Sequence, residues 1–431
     1  MNGDMLIAAG ILVASYVLIF SEIIHRTSVA IIGSVVMIIV GMMAGFYSQE
    51  AAMEAIDGNT LLLLAGMMMV VGMLRPTGVF EYAAIRMTKF ARGDARLLLI
   101  YISLAVSLIS MVLDNVTTII IFAPLTILVT RILNLNPMPY LMAEAILSNI
   151  GGASTLVGDP PNIMIGSAGA IDFTRFLVHM GPIILVVWLC TTGLLLLLFK
   201  RQLGKSTQTT IDLDESKAIT DPQTLWKVLL SLGLIVLLFF IHHHFHLYPA
   251  FAAFIGLALA LALIRPKPES LFGEVNWSVL VFFAGLFVIV GGVEGSGLLH
   301  LVGQNLAVIA LEPGKLLAAC LLLMWASALL SAAVDNIPFT VAMIPIIVSL
   351  EGLGVNITPL WWALAIGVGL GGNGTHIGAT ANLIVVAESE KCGIADARIT
   401  PANWMRIGLP AMFTSLIVAT VVYAAFFSFF L

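Results

Sequence analysis

The sequence predicts an all-α polytopic membrane protein of two inverted repeats, about ten spans plus two re-entrant hairpins. Three observations predict it. The chain is 60% hydrophobic and only 10% charged, against the roughly 25% charged of a soluble domain. Its apolar runs are about long enough to cross a bilayer. Two of them are interrupted by Gly, Asn, Thr and Pro, where a helix in lipid must still satisfy its own backbone. Such breaks survive only when buried in protein or lining a cavity, the device that secondary transporters use for their sites.

In order, the first repeat covers residues 1–200. The opening MNGDMLIAAG has no basic region ahead of its apolar run and no small-residue cleavage site, so it reads as a first span. Apolar segments follow near 5–20, 28–46 and 60–74, then a basic loop with Arg75, Arg86, Lys89, Arg92 and Arg96. The hairpin 97–133 has two apolar legs joined at Asp114-Asn115 without a hydrophilic loop. Re-entry is favoured over two full crossings because an ionisable residue in the membrane is most cheaply held against protein. A broken helix, 140–166, and a span, 173–199, complete the repeat. Residues 201–224, rich in Thr, Asp and Lys, form the long polar connection, a cytoplasmic linker. The second repeat, 225–431, restarts the order with 226–241, 248–264 and 277–293, a hairpin 315–350 joined at Asp335-Asn336, a broken helix 360–387 and a last span near 405–430.

The halves also match by residue. Gly66, Gly72 and Gly78 recur as Gly285, Gly291 and Gly297 at an offset of 219. Asp114, Asn115 and Pro124 recur as Asp335, Asn336 and Pro345 at 221. Gly151, Gly152, Thr155, Gly158 and Asn162 recur as Gly371, Gly372, Thr375, Gly378 and Asn382 at 220. Glycine matches arise easily by chance; a near-constant offset across three motifs indicates duplication. Basic residues orient it. With both termini outside, 17 of the 19 Lys and Arg fall on the inner face, leaving Arg175 and Lys315 outside. Five spans per half then invert the second repeat relative to the first, the symmetry used by alternating access.

If the pseudo-two-fold holds, both Asp-Asn turns and both broken segments converge. Asn115, Thr117, Asn149, Ser154, Thr155, Asn162, Asn336, Asn373, Thr375 and Asn382 are the candidate substrate ligands, since Asn, Ser and Thr supply uncharged donors and acceptors. Gly151, Gly152, Gly158, Pro160, Pro161, Gly371, Gly372, Gly374 and Gly378 shape the breaks. Asp114, Asp159, Asp335, Glu144 and His376 are candidates to carry protons or a cation, because intramembrane ionisable residues mark such pathways. Each has a plainer reading. Asp114 and Asp335 could simply cap the helices that follow. Asp159, opposite Ala379 in the second repeat, could brace its loop. Glu144 could pack against a neighbouring helix, and His376 could be a hydrogen-bonding loop residue.

Other chemistries find little support. Cys190, Cys320 and Cys392 have no metal or disulfide spacing, and no phosphate-binding loop is present. The net charge of −5 does not suggest a nucleic-acid partner. His242–His246 reads as an interfacial loop rather than a metal site. No cofactor or metal is expected.

The stretch SNIGGASTLVGDPPNIMIG (Ser148–Gly166) resembles the signature of the arsenite permease, P protein and sodium/proton antiporter branch of the ion transporter superfamily. LGGNGTHIGATAN (Leu370–Asn382) resembles its second-repeat partner, and LDNVTT and VDNIP its hairpin tips. The Asp-Asn-Val-Thr-Thr tip looks closer to the P protein side. The resemblance implies a scaffold, a transport region of two opposed hairpins and two broken helices, and a homodimer in the cytoplasmic (inner) membrane. A separate cytosolic ATPase subunit stays open as a partner. The expected activity is proton-coupled efflux of arsenite or antimonite, a neutral hydroxide suited to a polar site whose motifs contain no arginine. A sodium/proton antiporter is the alternative. Silicic acid or a carboxylate as substrate, and an aspartyl enzyme using Asp114 and Asp335 as a dyad, stand further back.

Overall fold

The computed structural model describes residues 2–21, 23–203, 215–301, 312, 314–333 and 335–431. Every regular element among them is a helix. Eight helices are long and apolar enough to cross a membrane, and five more of 10–17 residues are apolar. The protein is therefore a multi-pass integral membrane protein.

The first half contains α1 (Gly3–Ser21), α2 (Arg26–Ala44), α3 (Gln49–Glu54), α4 (Gly58–Leu74), α5 (Val79–Ala91), α6 (Ala95–Ser110), α7 (Asn115–Ile132), α8 (Met138–Gly152), α9 (Pro160–Ala168) and α10 (Phe173–Leu198). The second contains α11 (Pro222–Ile241), α12 (Pro249–Ile264), α13 (Pro268–Gly273), α14 (Trp277–Gly295), α15 (Leu316–Ala333), α16 (Asn336–Glu351), α17 (Thr358–Gly371), α18 (Thr380–Lys391) and α19 (Pro401–Ala425). Helix starts repeat as the motifs do: 58 and 277, 95 and 316, 115 and 336, 138 and 358, 160 and 380.

The basic loop expected after residue 74 is a helix. In α5, Phe80, Ala84, Thr88 and Ala91 form a buried stripe at near-helical spacing while Arg86 and Lys89 face outward. Both basic groups are paired with Glu215, in the second half of the linker. Residues 204–214 of that linker, and Val334 in the second tip, lie outside the described residues.

Two helices form the centre. All of α8 is buried, and α17 is buried from Pro359 to Gly371. Such helices are surrounded by protein on all sides. The first leg of each hairpin lies along one of them, α6 on α8 and α15 on α17. Small residues permit that closeness. A Cβ on Gly151 would stand 2.7 Å from the Ser107 carbonyl oxygen, and one on Gly371 2.4 Å from that of Ala328. Each second leg packs on the short helix after the other half's break, α7 on α18 and α16 on α9. The halves are interlocked around the breaks.

Candidate functional site

Each tip begins with the same local chemistry. The Asp114 carboxylate caps α7 by accepting from the Thr117 amide (2.8 Å) and hydroxyl (2.6 Å). Asp335 occupies the equivalent position on α16 and accepts from the Ile337 amide at 3.4 Å. The capping reading of these acids is thus observed. Capping fixes the next residue, and in both tips that residue is asparagine.

Asn115 donates to Asn149 Oδ1 (3.0 Å) and Asp159 Oδ1 (3.4 Å). Asn336 donates to both oxygens of Asp159, at 3.4 and 3.2 Å. Asn149 in turn donates to Asn373 Oδ1 (2.9 Å) and Asn382 Oδ1 (3.1 Å). All six residues are buried. One connected polar network therefore joins both tips and both breaks, with Asp159 as its one acid. A carboxylate accepts only, and the two amides give it directed donors. Hydrogen bonds to a charged group contribute about 1.5–3 kcal/mol each.

The breaks are built alike. Asn162 donates back to the carbonyls of Gly152 (3.2 Å) and Thr155 (2.9 Å). Asn382 does the same to Gly372 (2.8 Å) and Thr375 (2.9 Å). These carbonyls lack helical partners, so the two asparagines clamp the unwound backbone. Thr155 and Thr375 donate their hydroxyls to Met111 and Ala332, the carbonyls just before the tips. The Ser154 hydroxyl turns back to Gly151. Gly152 and Gly158, and likewise Gly372 and Gly378, approach too closely for a side chain: a Cβ on Gly158 would sit 2.5 Å from the Gly152 oxygen. On Gly374 it would meet Met412 Sδ at 2.6 Å. Pro160 and Pro161 open α9, where a helix has no use for an N–H.

Among the described residues, two asparagine atoms in the breaks are buried without a partner: the acceptor Asn162 Oδ1 and the donor Asn373 Nδ2. Such atoms are rare in folded proteins and mark places where a ligand or water completes the bonding.

The remaining candidates stand apart. Glu144 is fully buried and takes the hydroxyl of Thr126 on α7, while its Oε2 has no partner. It faces a neighbouring helix. His376 Nδ1 is buried in the second break, and among the described residues it has no hydrogen-bond partner, in the asparagine network or elsewhere. Asp114 and Asp335 each have their own partners and share no hydrogen bond among the described residues, which leaves the dyad without its geometry. Among the described residues no cluster of His, Cys, Asp and Glu could hold a metal ion, and His242 is turned to the Leu247 carbonyl.

One expectation is corrected. The site is not free of arginine. Arg26, the first residue of α2, reaches Asp335 Oδ2 at 3.2 Å and Thr380 Oγ1 at 3.1 Å. The motifs could not reveal it, since the pair is separated by 309 positions. A weak signal existed: Arg26 is the only basic residue before Arg75.

Two clefts flank the network. A cavity of about 300 Å³ is lined by Arg26, Arg75, Asp114, Thr117, Glu274 and Thr380 among others, and so reaches both tips. A second, about 320 Å³, is lined by Glu54, Asp57, Glu294, Met164 and Val341, short of the tips. Asp57 and Arg75 bound opposite ends of α4, about 27 Å apart at 1.5 Å per residue. Asn276 of the first cleft and Glu294 of the second bound α14 in the reverse sense, so α4 and α14 run antiparallel between the clefts. Beside the second cleft, burial and the Glu294 carboxylate push the Tyr47 phenol up to about 12. It therefore remains a donor to the Val288 carbonyl at 3.0 Å.

The sequence model described as citrate transporter (CitMHS) matches residues 16–367. An uncharacterized transporter of Mycobacterium tuberculosis is 37% identical over 90% of this chain and 91% of its own length. Human P protein is 33% identical over 95% of this chain, which spans 58% of that longer protein. The crystal structure of the YdaH transporter of Alcanivorax borkumensis superposes with a TM-score of 0.58, covering 91% of this chain and 88% of that one. At 17% identity that likeness concerns the fold.

Proposed function

We propose, because this chain belongs to the citrate transporter (CitMHS) family, that it is a secondary active transporter whose coupling group is Asp159. The bilayer is the inner membrane, with both termini outside, and the first cleft, with Arg26 and Arg75, faces the cytoplasm in this reading. The hairpins are re-entrant, the repeats inverted, and the site alternates between the two clefts. The antiparallel run of α4 and α14 supports that arrangement.

The observation that carries the coupling assignment is the Asp159 carboxylate held by Asn115 and Asn336 from opposite repeats. Asp114 is engaged in its cap and Asp335 with Arg26, whereas among the described residues the hydrogen-bond partners of Asp159 are asparagines. An intramembrane acid so placed takes and releases a proton as the tips move. The solute is a small neutral hydroxide, arsenite or antimonite, moved outward against protons. The unpartnered acceptor on Asn162 and donor on Asn373 fit a molecule that both donates and accepts.

A carboxylate solute is the second reading. It is favoured by Arg26 and Arg75 in the first cleft and by the family's description as citrate transporters. Against it, Arg26 is bonded to Asp335, and Arg75 lies 4.0 Å from Glu274, so neither guanidinium is a free clamp. The homodimer and an ATPase subunit rest on the family resemblance alone.

The test is proton flux in proteoliposomes challenged with arsenite, antimonite, sodium, silicic acid and citrate. Arsenite or antimonite should drive the largest pH change. A response to citrate or sodium alone would overturn the solute assignment.

A further inference from the structure

We infer that Arg26 is a positioning residue for transport, a one-sided tether that holds the site open to the first cleft. The inference rests on the proposed alternation between the clefts and adds what biases it. The Arg26 guanidinium sits in a closed triangle. It donates to Asp335 Oδ2 and Thr380 Oγ1, and the Thr380 hydroxyl donates to the same Asp335 oxygen at 3.1 Å. Side-chain exposure is 28% for Arg26 and 12% for Asp335, so water screens the pair less than a surface ion pair.

The two ends of the tether belong to different bodies. Arg26 opens α2, which packs along α14, and its guanidinium lies 5.3 Å from the Phe282 ring centre of that helix. Asp335 and Thr380 begin α16 and α18, and Asn336, the next residue, is bonded to Asp159. The tether thus runs from a helix between the clefts to the polar network itself. Tyr16 of α1 adds a second hold, donating to the Pro338 carbonyl at 2.7 Å.

Among the described residues the other half has no equivalent. Asp114 is bonded within its own helix to Thr117. The helix matching α2 in order is α12, whose first residue is Pro249 where α2 has Arg26. A movement that carries the site toward the second cleft must break the Arg26 triangle, and no guanidinium awaits Asp114 at the start of α12. A contact made in only one of two states shifts their populations by its own strength. The site therefore rests toward the first cleft.

Accessibility reads this directly. In a background with Cys190, Cys320 and Cys392 replaced, single cysteines at Val279 (first cleft) and Val341 (second cleft) report to a membrane-impermeant thiol reagent. Arg26→Gln should raise labelling at 341 relative to 279 by about tenfold, the loss of one charge-assisted contact. Arg26→Lys should give a smaller shift, and Tyr16→Phe a shift in the same direction. The exchange Arg26→Asp with Asp335→Arg should restore the original ratio, which a purely structural role would not do. An unchanged ratio in both Arg26→Gln and Tyr16→Phe overturns the tether. If ion and solute gradients move neither reporter in the parent background, alternation itself fails, and the tether with it.

Discussion

Asn115 and Asn336 stand 221 positions apart (336 − 115) and donate their side-chain amides to one carboxylate, that of Asp159. Each is the first residue of the second leg of its hairpin. The two matching tips thus supply two donors and, among the described residues, one shared acid, because Ala379 stands in the second break where the first has Asp159. Whatever reaches that acid is presented to both tips together.

The clamps predict a stability effect separate from coupling. Asn162→Ala leaves the Thr155 carbonyl without a donor and Asn382→Ala the Gly372 carbonyl, each at a cost of about 2 kcal/mol, while Gly152 and Thr375 keep a backbone donor. Thermal unfolding in detergent should show both variants lowered relative to the parent. Asn382→Ala also strips Asn149 of a partner, so it should be the more harmful of the two. Equal stability with the parent would mean the breaks hold their shape without the clamps.

Glycine contacts predict an asymmetry between similar substitutions. Gly151→Ala and Gly371→Ala push a methyl against the Ser107 and Ala328 carbonyls and should destabilise by about 1–3 kcal/mol. Gly193→Ala meets nothing within 4 Å and should be neutral or slightly stabilising. The comparison is made on unfolding midpoints of the purified variants.

Glu144 and Thr126 form an isolated buried pair, and a double-mutant cycle reads it. Thr126→Val leaves the carboxyl without a hydrogen bond in an apolar core and should cost about 1–3 kcal/mol. Adding Glu144→Leu, the residue type at the matching position Leu364, should recover most of that loss. Proton coupling should survive in the double variant. Its disappearance would return Glu144 to the coupling path.

Much of this was legible in the sequence because the membrane makes its demands locally. Apolar length marks spans, and a run such as Gly151 to Asn162 is intolerable in lipid unless it is a site. The fixed offset then paired the two breaks and the two tips. What stayed hidden depends on direction rather than position. The offset paired Asn162 with Asn382 but not Asn149 with Asn373, and it could not say that Asn149, Asn373 and Asn382 join the network while Asn162 turns back on its own loop. Arg26 lay outside every motif and came to Asp335 only through tertiary packing. The α5 helix was masked by its basic residues, whose buried stripe of Phe80, Ala84 and Thr88 is short beside the neighbouring spans.

The most direct measurement of the central claim is solute-driven proton flux in proteoliposomes carrying Asp159→Asn, beside Asp114→Asn and Asp335→Asn. Asparagine preserves the size of the side chain while removing the titrating group. The account predicts that Asp159→Asn alone abolishes proton movement while solute binding persists, and that the two tip variants keep coupled flux at a reduced rate. Coupled flux surviving in Asp159→Asn, or vanishing only in Asp114→Asn or Asp335→Asn, would contradict it.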